Sequence, residues 1–310
     1  MSNEAGLSAK RGFAANDTFA SYHPIVNMLY FVLVIGFSMW IMHPVCLGVS
    51  FVCAMAYSVY LKRGKAVKFG FLFILPMLIV TAAMNPLFNH AGRTIIEYLP
   101  DGNPLTLESI AYGIAAAAML ACVVSWFSCY NEVMTSDKFV YLFGRIIPAL
   151  SLVLSMSLRF VPRFKAQMKV VSNAQRCIGR DASAGNIFQR ARHGIRILSI
   201  MITWALENAI ETADSMKSRG YGLKGRTAFS IFKFDRRDTY AFVFLVLCGV
   251  YIVLGKFFGG LYFRYFPSIK GMSMGAYAVS LYIAYFALGI MPLFINIRED
   301  IKWRSIRSRI

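Results

Sequence analysis

Three carboxylates are the first candidates for chemistry in this chain. Glu207, Glu211 and Asp214 are spaced i, i+4 and i+7, which places them on one face of a helix. An acidic face with basic residues nearby fits a magnesium-dependent intramembrane transferase that acts on a diphosphate. That chemistry generally needs a second, facing group of carboxylates. The remaining acidic residues are isolated or interleaved with arginine, among them Asp137, Asp181, Asp235 and Asp238. The sequence therefore favours a supporting role for the acidic face and keeps the transferase as the alternative.

An arginine beside a glycine is the second candidate. Arg219 precedes Gly220 at the predicted end of a helix, because glycine readily adopts the left-handed conformation that ends helices. At a helix tip the planar guanidinium can make forked hydrogen bonds to carboxylates or carbonyls of a partner. It can equally complement the negative end of its own helix dipole. Spacing alone leaves both interpretations open.

Histidines and cysteines give no pattern of a metal site. The six cysteines form no CxxC motif and no Cys/His pairing at zinc spacing, and the histidines are dispersed at His23, His43, His90 and His193. A GxxxxGK[ST] phosphate loop is also missing, so the chain cannot bind nucleotide by that route. We expect no metal and no cofactor, and any ATPase that serves this chain must be a separate protein.

The elements that carry these residues belong to a membrane protein. Of 310 residues, 57% are hydrophobic and 15% charged, with a mean hydropathy of +0.55, which argues against a water-soluble domain. Six apolar stretches approach the roughly 20 residues that a helix needs to cross a bilayer: residues 24–42, 45–61, 69–88, 110–130, 240–258 and 274–295. The sequence predicts an all-α, polytopic protein with about six transmembrane helices.

Charge predicts the orientation. Lys and Arg number 33 against 15 Asp and Glu, a net charge of +18, and cytoplasmic loops carry such an excess. The basic cluster Lys62, Arg63, Lys65 and Lys68 follows the second stretch and is expected in the cytoplasm. Six crossings then place both termini in the cytoplasm of a multi-pass cell-membrane protein. Because topology explains the basic residues, we expect no nucleic-acid partner.

A basic insert separates the fourth and fifth apolar stretches. Its charge predicts a cytoplasmic location, with a helix over residues 139–160 embedded along or partly within the inner leaflet. Helical spacing of apolar residues predicts two amphipathic helices, over 163–178 and 187–219. The expected organisation is an N-terminal transmembrane part (1–138), a coupling domain of long amphipathic helices (139–238) and a C-terminal transmembrane part with a basic tail (239–310).

Two segments of the insert resemble signatures of a transporter family. Residues 206–221, with the sequence Leu-Glu-Asn-Ala-Ile-Glu-Thr-Ala-Asp-Ser-Met-Lys-Ser-Arg-Gly-Tyr, resemble the second signature of the transmembrane T component of energy-coupling factor transporters. Residues 160–167 and 173–180 are similar to the region of its first signature. An outer loop also resembles the longer members, over residues 85–90 and 98–104.

The resemblance implies a scaffold rather than an enzyme. Such a subunit joins two ABC-type ATPases to a substrate-binding S component in an importer of vitamins or metal ions. Each of its two coupling helices carries a short Ala-Arg-Gly-like motif that enters a groove on one ATPase. By position the second motif is Ser218-Arg219-Gly220. The first is Cys177-Ile178-Gly179, where isoleucine replaces the usual arginine, so Arg176 and Arg180 are alternative anchors.

Overall fold

The structure is a computed structural model that describes residues 17–98, 104–144, 147–180, 185–221, 232–271 and 275–307, with the backbone alone of residues 148–152. Of these residues 81% are helical, which confirms the predicted all-α fold class. Part of the outer-loop resemblance, residues 99–103, lies outside the described residues. The chain divides into two compact units, Phe139–Ile231 and the remainder, Met1–Lys138 with Phe232–Ile310.

Six apolar helices form the larger unit, and each contains most of one predicted stretch. The helices are α1 (Pro24–Trp40), α2 (Pro44–Lys62), α3 (Gly64–Phe88), α4 (Leu107–Val133), α8 (Arg236–Phe257) and α9 (Ala276–Arg307). Among the described residues, α2, α3, α4, α8 and α9 are long and apolar enough to span a membrane, whereas α1 is apolar but has only 17 residues. The described residues also form the α-helices α5 (Ser136–Gly144), α6 (Pro148–Cys177) and α7 (Ile187–Ser218), and a short 3-10 helix, Phe19–Ser21, precedes α1. Two short hairpins pair β1 (Ile95–Tyr98) with β2 (Pro104–Thr106), and β3 (Phe263–Arg264) with β4 (Lys270–Gly271).

Helix α4 is central to the larger unit. It packs against α1, α2 and α3, while α9 packs against α2 and α8. Trp126 of α4 is fully buried and donates a hydrogen bond from Nε1 to Ser50 Oγ of α2 at 2.9 Å. Gly113 lets α3 approach closely, since a Cβ there would lie 2.6 Å from the Ala82 carbonyl oxygen. Small residues at helix contacts are a general feature of packing in membranes.

In contrast to α4, α3 has few buried residues. It packs on α4 and leaves large side chains uncovered along most of its length, including Phe71, Phe73, Ile79, Val80 and Phe88. A single π-helical turn, Gly70–Ile74, interrupts it. An exposed face this apolar suits lipid or another membrane subunit.

The segment before α1 is held inside the unit by a buried carboxylate. Asp17 accepts hydrogen bonds from the Phe19 amide at 3.1 Å, the Asn296 side-chain amide at 2.7 Å and the Tyr57 hydroxyl at 3.0 Å. A buried carboxylate is tolerated when donors surround it in this way. The contact joins the start of the described chain to α2 and α9.

A buried cation accompanies this carboxylate. Lys138, at the start of α5, donates hydrogen bonds to the carbonyl oxygens of Ala20 and, at 2.9 Å, of Val133. Burial lowers the pKa of the Lys138 ammonium to about 8, and the charge of Asp17 opposes that shift. Lys138 thereby ties the beginning of α5 to the segment before α1.

One predicted boundary is wrong. The sequence predicted a helix over 139–160, separate from the amphipathic helix that begins at 163. Instead α5 ends at Gly144, and α6 runs unbroken from Pro148 to Cys177 with Pro162 inside it. Proline suits the first turn of a helix, where its missing N–H is not needed, and it disfavours helical geometry in the preceding residue. The break therefore falls at Pro148. The second amphipathic helix lies where the sequence predicted it, as α7.

Candidate coupling site

The predicted site residues lie on α6, on α7 and at the ends of these two helices. The helices run in opposite directions past a small apolar contact in which Val171, Ile197 and Met201 are buried. Phe164 of α6 meets Trp204 of α7 edge-on, with ring centroids 5.3 Å apart. This contact fixes the two helices against each other near the middle of the pair.

A cation reinforces the same contact. The Arg163 guanidinium carbon lies 5.8 Å from the centroid of the Trp204 ring, within the range of a cation–π interaction. Arg163, the residue before Phe164, thus contributes to the packing of α6 against α7.

The first motif is a helix cap of defined geometry. Helix α6 ends at Cys177, Ile178 is its C-cap, and Gly179 has φ of +75°. The Gly179 amide donates to the Arg176 carbonyl at 3.0 Å, and the Arg180 amide donates to the Gln175 carbonyl at 2.9 Å. These two bonds and the left-handed glycine define a Schellman cap.

The second motif has the same backbone geometry. Helix α7 ends at Ser218, Arg219 is its C-cap, and Gly220 also has φ of +75°. The Gly220 amide donates to the Lys217 carbonyl at 2.9 Å, and the Tyr221 amide donates to the Met216 carbonyl at 3.0 Å. The two predicted motifs therefore match position by position.

This match decides which residue of the first motif stands where Arg219 stands in the second. Ile178 and Arg219 are both C-caps, whereas Arg176 lies two positions before its C-cap, where the second motif has Lys217. Arg180 follows the glycine, as Tyr221 does. All of these side chains are exposed. The first cap carries an apolar side chain at the position where the second carries a guanidinium.

The two caps lie at opposite ends of the pair. Arg219 follows Trp204 by 15 residues and Ile178 follows Phe164 by 14, so at 1.5 Å per residue each cap lies about 20 Å from that contact. Because the helices run in opposite directions, the caps are separated by up to about 40 Å. One compact groove cannot hold both.

The acidic face is exposed and does not assemble a metal site. Glu207, Glu211 and Asp214 all lie on the surface of α7. Among the described residues, three or more His, Cys, Asp or Glu side chains nowhere group closely enough to hold a metal ion. In the same part of the chain, no second acidic group lies beside the three carboxylates.

Two exposed apolar residues at the start of α7 were not predicted from the sequence. Ile187 and Phe188 open α7 and are 77% and 85% exposed. A reciprocal cap between Asn186 and Gln189 fixes this first turn. The Asn-x-x-Gln pattern of a capping box was readable in the sequence. The exposure of the two apolar residues was not.

The chain is similar to known membrane transport proteins over most of its length. A family model described as "Cobalt transport protein" (CbiQ) matches residues 23–229, more than half of the chain. The energy-coupling factor transporter transmembrane protein EcfT of Streptococcus thermophilus is 27% identical over 241 residues, covering 73% of this chain and 88% of that protein. The EcfT protein of Staphylococcus aureus is 23% identical over 230 residues, covering 68% and 84%.

Other relatives are more similar over a shorter region. The EcfT protein of Lacticaseibacillus paracasei is 38% identical over 110 residues, which is 35% of this chain and 42% of that protein. The match thus spans about two fifths of that relative's length. The family model nevertheless includes both capped helix ends. The chain belongs to the CbiQ family, which the resemblance and the EcfT relatives connect with the transmembrane T components of energy-coupling factor transporters.

Proposed function

We propose that this T component couples ATP hydrolysis by two separate ABC-type ATPases to the movement of a substrate-binding S component, for the import of vitamins or metal ions. One observation carries the proposal. Two helix ends with the same Schellman geometry lie at opposite ends of one packed helix pair. Each exposed cap offers a compact surface to one partner, so the pair has two equivalent attachment points.

Helix length supports a mechanical role. Helices α6 and α7 have 30 and 32 residues, which gives each a length of about 45 Å. Rigid helices transmit a displacement that loops would absorb. Closure of an ATPase pair on the two caps moves the ends of the helices, and the contact at Trp204 carries that movement from one helix to the other.

The exposed side chains of the larger unit suit a membrane partner. Helix α3 leaves a long apolar face uncovered, and lipid or an S component can cover it. The substrate class, vitamins or metal ions, follows from the resemblance and agrees with the cobalt transport described for the matching family model. The S component selects the substrate in this proposal.

The proposed orientation places both termini and the helix pair in the cytoplasm. Lys62 and Arg63 lie at the end of α2, Lys65 and Lys68 lie at the start of α3, and α9 ends in basic residues that include Arg304 and Arg307. Basic residues at span ends favour the cytoplasmic side. The helix pair is then accessible to ATPases, which need cytoplasmic ATP.

Affinity purification of the full-length chain from its native membranes tests the ATPase attachment. We expect two ATPase chains per transporter to copurify with the unmodified chain. Arg219→Glu is expected to reduce copurification at least tenfold, or to uncouple ATP hydrolysis from uptake, because it reverses the charge at the second cap. Lys217→Glu is the matched control, since it makes the same charge change two residues away. Uptake at the unmodified rate in Arg219→Glu rules out the attachment of an ATPase at Arg219.

Cysteine labelling tests the orientation. Cys177 is exposed, whereas Cys46, Cys53, Cys122 and Cys129 are buried in the larger unit. A membrane-impermeant maleimide is expected to label Cys177 in inside-out vesicles and not in intact cells. Cys177→Ser controls for labelling at other cysteines. Labelling of Cys177 from outside intact cells contradicts the proposed topology.

A further inference from the structure

A short basic hairpin lies between α8 and α9. Strand β3 carries Arg264 and β4 carries Lys270, and the two residues are directly opposite one another in the antiparallel register. Both side chains are exposed. Residues opposite each other in such a pair project from the same face of the hairpin. The β3–β4 hairpin therefore holds two cationic side chains next to each other.

Like charges in opposite positions destabilise a hairpin, and these two lack a counter-charge within the described chain. Among the described residues, no hydrogen bond or ion pair engages the side chain of Arg264 or Lys270. Residues 258–275 contain no Asp or Glu. Lys256, a cation close to the hairpin in sequence, differs, since its Nζ donates to the Trp40 carbonyl and lies 4.1 Å from the centroid of the Trp40 ring. The hairpin cations thus suit an anion from outside the described chain.

The other face of the hairpin is fixed to the larger unit. Phe263 and Tyr265 alternate with Arg264 along the strand and so face the opposite side. The Phe263 ring packs edge-on against His43, with ring centroids 5.3 Å apart, and the Tyr265 hydroxyl donates a hydrogen bond to the Met42 carbonyl at 2.9 Å. These contacts hold the hairpin without using its cations. A site that is fixed in advance loses little entropy when an anion binds.

The position of the hairpin makes its charge unusual in the proposed orientation. It lies beside the turn between α1 and α2, at the end of α2 opposite to the one that carries Lys62 and Arg63. Basic residues of membrane proteins accumulate on the cytoplasmic side, and the hairpin lies on the outer side. The charge rule therefore explains Lys62 and Arg63 but not Arg264 and Lys270, for which a ligand is the better explanation.

Exposed aromatic residues at the same end of the larger unit indicate the membrane interface. Phe257 and Phe258 at the end of α8 are 76% and 77% exposed, and Tyr262 is 52% exposed. Trp40 packs against Phe257, with ring centroids 6.0 Å apart, and also remains exposed. Trp and Tyr rings are enriched at the headgroup level of a bilayer. The phosphates of phospholipids are the abundant anions at that level, which favours lipid over an acidic protein as the partner.

We propose that Arg264 and Lys270 bind the phosphate of an anionic phospholipid in the outer leaflet and so anchor the α8–α9 connection to the membrane interface. The planar guanidinium of Arg264 donates two parallel hydrogen bonds to phosphate oxygens, and the Lys270 ammonium adds a second charge beside them. A zwitterionic headgroup binds less well, because its own cation is repelled by both side chains. This inference goes beyond the proposed function and uses the proposed orientation only for the choice of leaflet.

Lipid quenching in vesicles tests the inference. Ile269 precedes Lys270 and is 41% exposed, so Ile269→Cys places a bimane fluorophore next to the site. The background is Cys177→Ser with Cys248→Ser, because the other cysteines, Cys46, Cys53, Cys122 and Cys129, are buried. The full-length chain is reconstituted in phosphatidylcholine vesicles that contain equal fractions of either brominated phosphatidylglycerol or brominated phosphatidylcholine.

We expect brominated phosphatidylglycerol to quench the fluorophore about fivefold more strongly than brominated phosphatidylcholine, the preference that a single basic residue gives at an anionic surface. Arg264→Gln with Lys270→Gln is expected to abolish the preference. Both side chains are exposed and unengaged, so this variant is expected to fold. Lys65→Gln with Lys68→Gln is the matched control, since it removes two charges from the start of α3 and is expected to retain the preference.

Three kinds of result contradict the inference. Equal quenching by the two lipids, or a preference that persists in Arg264→Gln with Lys270→Gln, overturns it. Relief of the quenching by inorganic phosphate assigns the site to a soluble anion and also overturns it. Labelling of Ile269→Cys by a membrane-impermeant maleimide in inside-out vesicles but not in intact cells overturns the choice of the outer leaflet. These measurements involve no ATPase and no S component, so failure of the proposed coupling function leaves their outcome unchanged.

Discussion

The two units of this protein differ in how their long helices are held together. In the larger unit, aromatic side chains such as Tyr30, Tyr57 and Trp126 are fully buried between helices. In the helix pair α6 and α7, the described apolar core consists of Val171, Ile197 and Met201, with Phe164 and Trp204 at its edge. Interior contacts stabilise the larger unit, whereas most described side chains of the helix pair are exposed.

Two tryptophans sharpen this comparison and carry the largest expected effect. Trp126→Ala removes a fully buried ring and its hydrogen bond to Ser50, so we expect a loss of about 3–5 kcal/mol in the free energy of unfolding. Trp204→Ala removes a partly buried ring, with an expected loss of about 1–2 kcal/mol because the exposed part contributes little. Thermal unfolding in detergent measures the first effect. The unfolding transition is monitored by maleimide labelling of the buried cysteines in a Cys177→Ser background.

Hydrogen exchange in α6 and α7 measures the effect of Trp204→Ala, which is expected to leave the cysteine-labelling transition of the larger unit unchanged. An equal loss of thermal stability from both substitutions would contradict this comparison, because the helix pair would then depend on its interior contacts as much as the larger unit does.

The capping glycines give the next largest effect. Gly179 and Gly220 both have φ of +75°, a conformation that costs a residue with a Cβ about 1–2 kcal/mol. Gly179→Ala and Gly220→Ala are therefore expected to fray the last turns of α6 and α7, with faster amide exchange there and weaker ATPase copurification. Gly194→Ala is the control, since Gly194 lies inside α7 with open space around its Cα. It is expected to slow exchange, because alanine favours helix.

Histidine caps make the stability of the larger unit depend on pH. His23 Nδ1 accepts the Ile25 amide and His43 Nδ1 accepts the Val45 amide, each at 3.3 Å. Burial lowers the pKa of both imidazoles, against a smaller opposing effect of Asp238 on His23. Their contribution is present above pH ~6.5, the unperturbed value, and is lost as pH falls through the lowered folded-state pKa.

His43→Asn isolates this effect, because asparagine also caps helices and does not titrate. We expect its unfolding temperature to decrease less between pH 7 and pH 5 than that of the unmodified chain. Identical pH profiles exclude His43 as a source of the acid sensitivity.

A surface ion pair gives the smallest effect. Lys62 of α2 lies 3.6 Å from Glu132 of α4, and the glutamate side chain is 50% exposed. Pairs of this kind contribute about 0–1 kcal/mol. Glu132→Gln is expected to change the unfolding temperature little, and any effect should diminish in high salt. A loss comparable to that of Trp126→Ala would show that the unit depends on its rim as much as on its interior.

Much of this architecture is readable from the sequence because membrane helices have strong apolar signals. Each of the six predicted stretches lies mostly within one helix, and the glycines at positions 179 and 220 correctly located both helix ends. The equivalence of Ile178 and Arg219 depends on the geometry of the two helix caps. Hydrogen bonds at each helix end define that geometry, and composition does not predict them. Sequence alone therefore left Arg176, Ile178 and Arg180 as alternatives.

Contacts between distant residues were not predictable. The sequence around Asp17 contains no pattern that indicates Asn296 or Tyr57 as a partner, because such contacts depend on how the helices pack together. The boundary at Pro148 was missed for a different reason. Apolar residues continue across it, so hydropathy alone joined residues 139–160 although proline marks the start of α6.

The bond between Asp17 and Asn296 also bears on biosynthesis. Asp17 leaves the ribosome before its amide partner Asn296, which lies in α9 and follows it by 279 residues. Until α9 is inserted, that carboxylate lacks one of its three donors, so the nascent intermediate remains less stable than the finished protein. The same contact is therefore absent from any chain that ends before α9, and such a chain retains a buried carboxylate with an unfilled acceptor position.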